Sequence, residues 1–544
     1  MRKPRGAAAT FRSDPLDARE FPTLPRAWWP LAMVIPVTII IRSASPAPPP
    51  PPALVILITI DQMRQDYLTR FGPWEGGFAT LMESGAVYLN GLQDHAIAET
   101  APGHATLLSG RHPSHTGIAT NDLGVRDPTS PVLGGEGHGA SPRRFVGSTL
   151  IDWLGKGRPV PRFLSVAQKD RAAILPVGRS RGEVYWYVAG RFTTSSYYAD
   201  SLPTWLTGWN ARGGPARLAG QSWSLIAPAT TYAELDREQW ENGGEDVSFP
   251  HRLPMDPAEA VLKLVETPWI DSLTLDLALD GARALQLGQG SRTDLLLVGL
   301  SGTDHIGHAF GPDSREIHDQ MLRLDHWIGW FLDSMAVTVP RQRTVVVLTG
   351  DHGVVSFPEF LAVQRRPGGR IPLGRLVGAV NLELGRLTGD SDLLDDEAGL
   401  IFADTARLRA LRIRPESLAT ALAPRVWHLP GVAQAWTPAT LGSALPGDVH
   451  ARRWSQSLPA TLPWLVCAVA QPGYQWADAP GSTNHGTTND DDVDVPIILL
   501  GPWFVAGVHP DTVRTVDIAP TLARVLGVKP GERLDGIPIK SALP

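Results

Sequence analysis

The stretch "ALVILITID", residues 53–61, runs through eight uncharged, largely aliphatic positions and stops on an aspartate. It shows no polar alternation, so both of its faces want burial, as in a strand of a parallel sheet covered on each side. The same event recurs along the chain. "DLLLVGL" (294–300) runs into "SGTDHIGH", which carries Asp304 and His308, and "TVVVLTG" (344–350) ends at Asp351 and His352. "VPIILLG" (495–501) is a further apolar run, and just ahead of it "STNHGTTNDDD" holds His485. In an open parallel sheet the functional crevice lies outside the carboxyl ends of the strands. The expectation is an α/β fold whose strands deliver Asp61, Asp304 and Asp351, with histidines beside them, to one edge.

A chain of 544 residues with 43% hydrophobic content has room for a large α/β domain with insertions. The net charge of −6 comes without a run of basic residues, which argues against nucleic acid as a specific partner and leaves a small polar substrate. A single cysteine, Cys467, excludes intramolecular disulfides and cysteine-rich metal sites. Any metal must then be held by His and carboxylate.

The first 26 residues carry six Arg or Lys against three acids, and "AWWPLAMVIPVTIII" (27–41) follows with no charge. Fifteen residues fall short of the roughly 20 needed to span a bilayer. A secretory signal over about 1–45 fits better, with an uncleaved membrane tether through 27–41 as the alternative; either places the protein in the periplasm or outside the cell. "SPAPPPPPA" then reads as a stiff tether. Residues 1–52 are therefore expected to be signal or anchor plus linker. Residues 53–544 are expected to form one catalytic domain with insertions at about 176–284 and 355–480. No internal repeat is seen, and the oligomeric state stays open, compatible with a monomer.

Taken singly, an aspartate after a strand is often a helix cap or turn former, and a lone His485 in a polar loop is often a surface residue. Together they weigh more. Asp304 and His308 are four residues apart and so share a helical face. Three carboxylates and three imidazoles form a donor set suited to a pair of zinc ions. Two metals roughly 3.5–4 Å apart make the usual clamp for displacement at phosphorus.

The stretch "ETAPGHATLLSG" (99–110) supplies the nucleophile expected at such a site. Pro102 suits a first helical turn and Gly110 a stop, which places Thr100 at a helix N-terminus. There the helix dipole and free amides favour an alkoxide and the oxygens of a phosphoryl group. Metal coordination activates a threonine hydroxyl without an adjacent base. His104, His112 and His115 are expected in supporting or surface roles, His104 foremost.

In order and spacing, "ITIDQMRQDYL", "ETAPGHATLLSG", "GTDHIGHAFGPDS", "LTGDHG", "STNHG" and the closing "VRTVDIAPTLARVLGV" with "LDGIPI" resemble the alkaline phosphatase superfamily. Within it they are most similar to the phosphate-irrepressible alkaline phosphatases, with type I phosphodiesterases and nucleotide pyrophosphatases as relatives. The resemblance implies an α/β/α sandwich with a largely parallel central sheet and inserted cap segments. It implies two Zn²⁺, one held by Asp304, His308 and His485, the other by Asp61, Asp351, His352 and Thr100. Asn121, 21 residues after Thr100, and Lys169 and Arg171 in "LSVAQKDRAAIL" would bind the phosphoryl oxygens. The expected function is hydrolysis of small-molecule phosphate monoesters through a phosphothreonine at Thr100; the alternative is a phosphodiesterase or nucleotide pyrophosphatase on the same scaffold. A threonine at position 100 disfavours a sulfatase, and a complete ligand set disfavours a non-catalytic binding protein.

Overall fold

The computed structural model describes residues 49–135, 137–156 and 161–544, so the expectations for a signal or tether at 1–45 lie outside the described residues. Ten strands form the central sheet. In chain order they are β1 (Leu54–Ile60), β2 (Ala86–Leu92), β3 (Phe163–Ala167), β4 (Glu183–Val188), β5 (Arg191–Thr193), β6 (Asp294–Leu300), β7 (Thr344–Gly350), β8 (Asp494–Leu500), β9 (Gly507–Val508) and β10 (Val513–Arg514). Across the sheet the order is β9-β2-β8-β7-β1-β6-β3-β4-β5, with β10 also beside β2.

The five strands β7, β1, β6, β3 and β4 are mutually parallel. Their residues were legible as buried runs because helices cover both faces. Leu54, Ile56, Ile58 and Ile60 of β1 pack into one apolar cluster with the helices Trp269–Ala284 and Arg315–Ala336. Val55 and Leu57 point the other way, into a second cluster with α1 (Thr100–Leu107), α2 (Asp170–Ile174) and the helix Ile518–Leu526. This is the period-2 alternation of a strand read on both sides. The architecture is an α/β/α sandwich.

The run "VPIILLG" differs from the parallel-strand expectation: β8 lies antiparallel to both β7 and β2. An apolar run buried on two faces carries no sign of its direction. The reversal has a consequence for the site. A strand antiparallel to its neighbours begins where they end, so the loop ahead of β8, with His485, reaches the same edge as Asp351.

Two regions elaborate this core. Within 176–284, β4 and β5 extend the sheet edge as a hairpin whose turn residues Ala189 and Gly190 both have positive φ, 42° and 94°. Within 355–480, four antiparallel strands (Leu394–Glu397, Leu400–Ala403, Trp464–Ala470 and Val432–Trp436) gather an apolar cluster of their own. Cys467, on the other face of Trp464–Ala470, is buried as a free thiol in a separate cluster with Ala96, Ile97, Leu400 and Trp454. No helix among the described residues is long and apolar enough to cross a membrane.

Candidate active site

The registers of the parallel strands set the site. Ile60 stands opposite Leu300 on one side and Gly350 on the other, so the chain leaves β1, β6 and β7 at one level. Asp61 and Asp351 are the first residues beyond, and Asp304 follows in the first turn of α3 (Gly302–Phe310). All three carboxylates are buried. α1 comes down onto them closely. A Cβ at Gly103 would lie 2.4 Å from the Asp351 carbonyl oxygen, so glycine is required for that approach.

Lys169, which precedes α2, reaches into the carboxylates. Its Nζ lies 2.6 Å from Asp304 Oδ2, 3.1 Å from Asp61 Oδ2 and 3.3 Å from Thr100 Oγ1. Burial disfavours the ammonium, but Asp304 and then Asp61 outweigh it and raise its pKa. Asp304 is likewise held well below the usual carboxylate range, by Lys169 and then His308 against the effect of burial. Asp61 is lowered by Lys169 and His104, again against burial. Asp351 goes the other way. Burial and the adjacent Asp61 push its carboxyl up to about 8. One cation does not balance three adjoining carboxylates.

The imidazoles share one orientation. Nδ1 of His308 lies 2.8 Å from the Thr483 carbonyl, Nδ1 of His352 2.9 Å from that of Gly353, and Nδ1 of His485 2.9 Å from that of Ala98. A carbonyl only accepts, so each Nδ1 donates its proton, and in the neutral ring each Nε2 keeps a free lone pair. All three Nε2 atoms face the cluster. His308 and His485 each stand 3.5 Å from Asp304 Oδ1, and His352 stands 3.4 Å from Asp351 Oδ2 and 3.5 Å from Thr100 Oγ1. The rings of His352 and His485 stack at 3.7 Å. Burial holds both as neutral bases, lowering His352 to about 4 and His485 to about 3. His308 is raised, because Asp304 outweighs its burial. Backbone carbonyls that fix the far nitrogen are the usual support for metal-binding histidines.

Donor atoms of Asp304, His352 and His485 lie within 4.8 Å of one another, as do those of Asp61, His104 and Asp351. The grouping is shifted from the expected one. His352 stands between the two sets, 3.8 Å from Asp304 Oδ1 and 3.4 Å from Asp351 Oδ2. His104, expected in a supporting role, has Nε2 3.0 Å from Asp61 Oδ1 and 3.5 Å from Asp351 Oδ2. Asp351 Oδ2 is buried without a hydrogen bond. Excess buried carboxylate, neutral nitrogen donors aimed inward and an orphaned oxygen together fit divalent cations.

Thr100 is buried as the first residue of α1, with Glu99 rather than Thr100 at the N-cap. The free amides expected around it are engaged. The Ala101 amide donates to Asn121 Oδ1 at 2.8 Å, Pro102 has none, and that of Gly103 donates to the Glu99 carbonyl. Asn121 is itself held by Glu99, whose Oε2 accepts its backbone N–H at 3.1 Å. No hydrogen bond joins Arg171 to Thr100. Its guanidinium is 3.8 Å from Asp170 and acts on the Glu99 carboxyl electrostatically.

One participant had no sequence signal. Gln62 adopts a left-handed conformation, φ 62°, directly after Asp61. Its backbone amide donates to Asp351 Oδ1 at 3.0 Å, and its side-chain amide donates to Asp304 Oδ1 at 3.2 Å. A Cβ on Gly307 would collide with that side chain at 1.7 Å.

A largely parallel sheet that presents adjoining carboxylate and imidazole donors beside a buried hydroxyl at a helix start is the framework of the alkaline phosphatase superfamily. The chain belongs within it to the type I phosphodiesterase / nucleotide pyrophosphatase family, whose model matches residues 55–493. Alkaline phosphatase PafA of Elizabethkingia meningoseptica is 28% identical, over 95% of this chain and 99% of that protein. A protein of Myroides odoratus named calcium-transporting ATPase is 30% identical, over 90% of this chain and 94% of its own length. A crystal structure of wild-type alkaline phosphatase PafA superposes with a TM-score of 0.84 at 27% identity, covering 91% of this chain and 99% of that one.

Proposed function

We propose that this protein is an extracytoplasmic phosphomonoesterase that holds two zinc ions and forms a phosphothreonine at Thr100. Lys169 beside the Thr100 hydroxyl, within a cluster of metal donors, is the observation that carries the reading. Asp304, His308 and His485 would hold one ion. Asp61, Asp351, His352 and Thr100 would hold the other, with His104 supporting their carboxylates. His and carboxylate donors without thiolate suit zinc. When bound, the ions supply Lewis-acid charge that makes the threonine hydroxyl acidic and stabilises the departing oxygen.

The chain's own groups do the rest. Thr100 Oγ gives up its proton to solvent and attacks phosphorus, the bond from phosphorus to the ester oxygen breaks, and the leaving oxygen takes a proton from solvent. Water then attacks the phosphothreonine and releases inorganic phosphate, returning the oxygen to Thr100. A monoester dianion presents three non-bridging oxygens. Lys169 would bond one directly, Asn121 would present its amide beside Thr100, and Arg171 would swing in from Asp170. Catalysis is carried by residues 53–544 as one unit with its insertions.

The relatives named alkaline phosphatase support this substrate class. The relative named for ATP is compatible with it, because the terminal phosphoryl group of ATP is also a multiply charged, singly substituted phosphate. The family's description favours a second reading, phosphodiester hydrolysis. Rates of the zinc-loaded protein on an aryl phosphate and on its methyl diester separate the two. The monoester should be preferred by orders of magnitude, and a preference for the diester would replace the first reading by the second.

A further inference from the structure

A cavity of about 330 Å³ opens at the C-terminal end of α3, apart from the metal-capable cluster. Trp240, Phe310, Phe357 and Phe360 supply its aromatic wall, and Glu238 and Glu241 stand among them. Volumes of this order suit small ligands. The acids in and around it are unequally served. Glu234 is paired with His318 at 2.9 Å, and Asp313 with Arg70 at 3.2 Å. The Arg70 guanidinium is occupied further by Asp66 and the Pro312 carbonyl. Arg315 is held by Asp236 at 3.4 Å.

Glu241 is different. It is only 3% exposed, and its Oε2 has no hydrogen-bond partner. Burial pushes its carboxyl up to about 9, and the charged groups that add to this are carboxylates, Glu316, Glu238 and Asp236. Glu316 is itself committed to His251 at 2.9 Å. Arg70 lines the same cavity but is already held by Asp66, Asp313 and the Pro312 carbonyl, so a buried acid with an unpartnered oxygen in an aromatic cavity is the complement of a cation that enters from outside. A calcium ion wants 6–8 oxygen ligands, and with Glu234 and Asp313 committed to His318 and Arg70 the lining leaves only the carboxylates of Glu238 and Glu241. A bulky ammonium group gains instead from ring faces and from a desolvated carboxylate.

We propose that this cavity is a binding site for an organic ammonium ion, held between the aromatic wall and the carboxylate of Glu241. The site is independent of the phosphomonoesterase reading.

Titration calorimetry on the metal-loaded full-length protein tests it, with choline chloride, its neutral carbon isostere dimethylbutanol, and calcium chloride as probes. Choline should bind saturably and roughly tenfold or more tighter than the isostere, because only the cation is attracted by ring faces and carboxylate. Glu241→Gln and Trp240→Leu should each weaken choline by roughly tenfold, with hydrolysis of an aryl phosphate unchanged in both. Absence of saturable choline binding, equal affinity for the isostere, unaltered affinity in both variants, or displacement of choline by calcium would each overturn the proposal.

Discussion

The Lys169 ammonium lies 3.3 Å from the Thr100 hydroxyl oxygen and donates a hydrogen bond to it. Asp304 and then Asp61 raise its pKa against burial, which favours the ammonium as a hydrogen-bond donor over the neutral amine as a base. On the proposed reading it would meet the oxygens of the phosphoryl group that Thr100 attacks.

Removing Lys169 and Arg171 together should therefore discriminate by substrate charge. Each charge-assisted bond is worth about 1.5–3 kcal/mol, so the double alanine variant should lose roughly two to four powers of ten in monoester kcat/KM. Methyl diester hydrolysis should fall much less. Metal content is measured alongside, because Lys169 also touches two of the carboxylates. Equal losses on both esters with metal retained would show that these residues do not read the substrate's charge.

Chelation should abolish activity, and Zn²⁺ should restore it better than Mg²⁺, which prefers an all-oxygen octahedral shell to neutral imidazoles. Undiminished turnover in excess chelator, after time for dissociation, would remove the metal from the mechanism.

Gln62 should matter to metal retention rather than to folding. Its two hydrogen bonds orient Asp351 and Asp304, and loss of such outer contacts typically costs about 10–100-fold in metal affinity or activity. Gln62→Ala should lose metal at lower chelator concentrations than the parent while keeping a similar melting temperature. Unchanged metal affinity would reduce Gln62 to a packing role.

Asp492 gives a prediction about stability. It is fully buried, its Oδ2 accepts the Thr487 amide at 2.7 Å, its Oδ1 has no partner, and burial pushes its pKa up to about 7. The folded state thus keeps a proton that the unfolded state releases near pH 4. The associated stability is present below about pH 4 and is lost as pH rises through about 7, because the unfolded chain binds fewer protons in that window. Asp492→Asn removes the slope. Its advantage over the parent should grow by roughly 1–3 kcal/mol between about pH 5 and pH 8. A constant difference at all pH values would mean that Asp492 folds as a carboxylate.

The strand ends were legible because an uncharged run that stops on an aspartate needs burial for one part and an edge for the other; β1 and β7 obey this, and β6 reaches its aspartate, Asp304, in the first turn of α3. Direction was not legible. "VPIILLG" reads the same either way, and only the position of His485 ahead of it, rather than after it, hinted that β8 is reversed. The hairpin of β4 and β5 did have a local signal, two aromatic and β-branched runs around Ala189-Gly190, which the surrounding cluster of aromatics obscured. Gln62 acts through its backbone conformation, which no spacing encodes; His104 was expected as a supporting residue, but not its partners Asp61 and Asp351. The amides around Thr100 looked free because the sequence could not show that Asn121 folds back onto Ala101.

That Thr100 Oγ becomes covalently phosphorylated during turnover is tested most directly by acid-quenching the metal-loaded protein with an aryl phosphate and analysing its peptides by mass spectrometry. The peptide bearing Thr100 should gain one phosphoryl group, transferred from the ester as the aryl oxygen leaves. Thr100→Ala should show no phosphopeptide and lose turnover by orders of magnitude, while Thr100→Ser keeps much of both. Full turnover by Thr100→Ala, with no phosphorylated peptide in the parent under quench conditions, would contradict it.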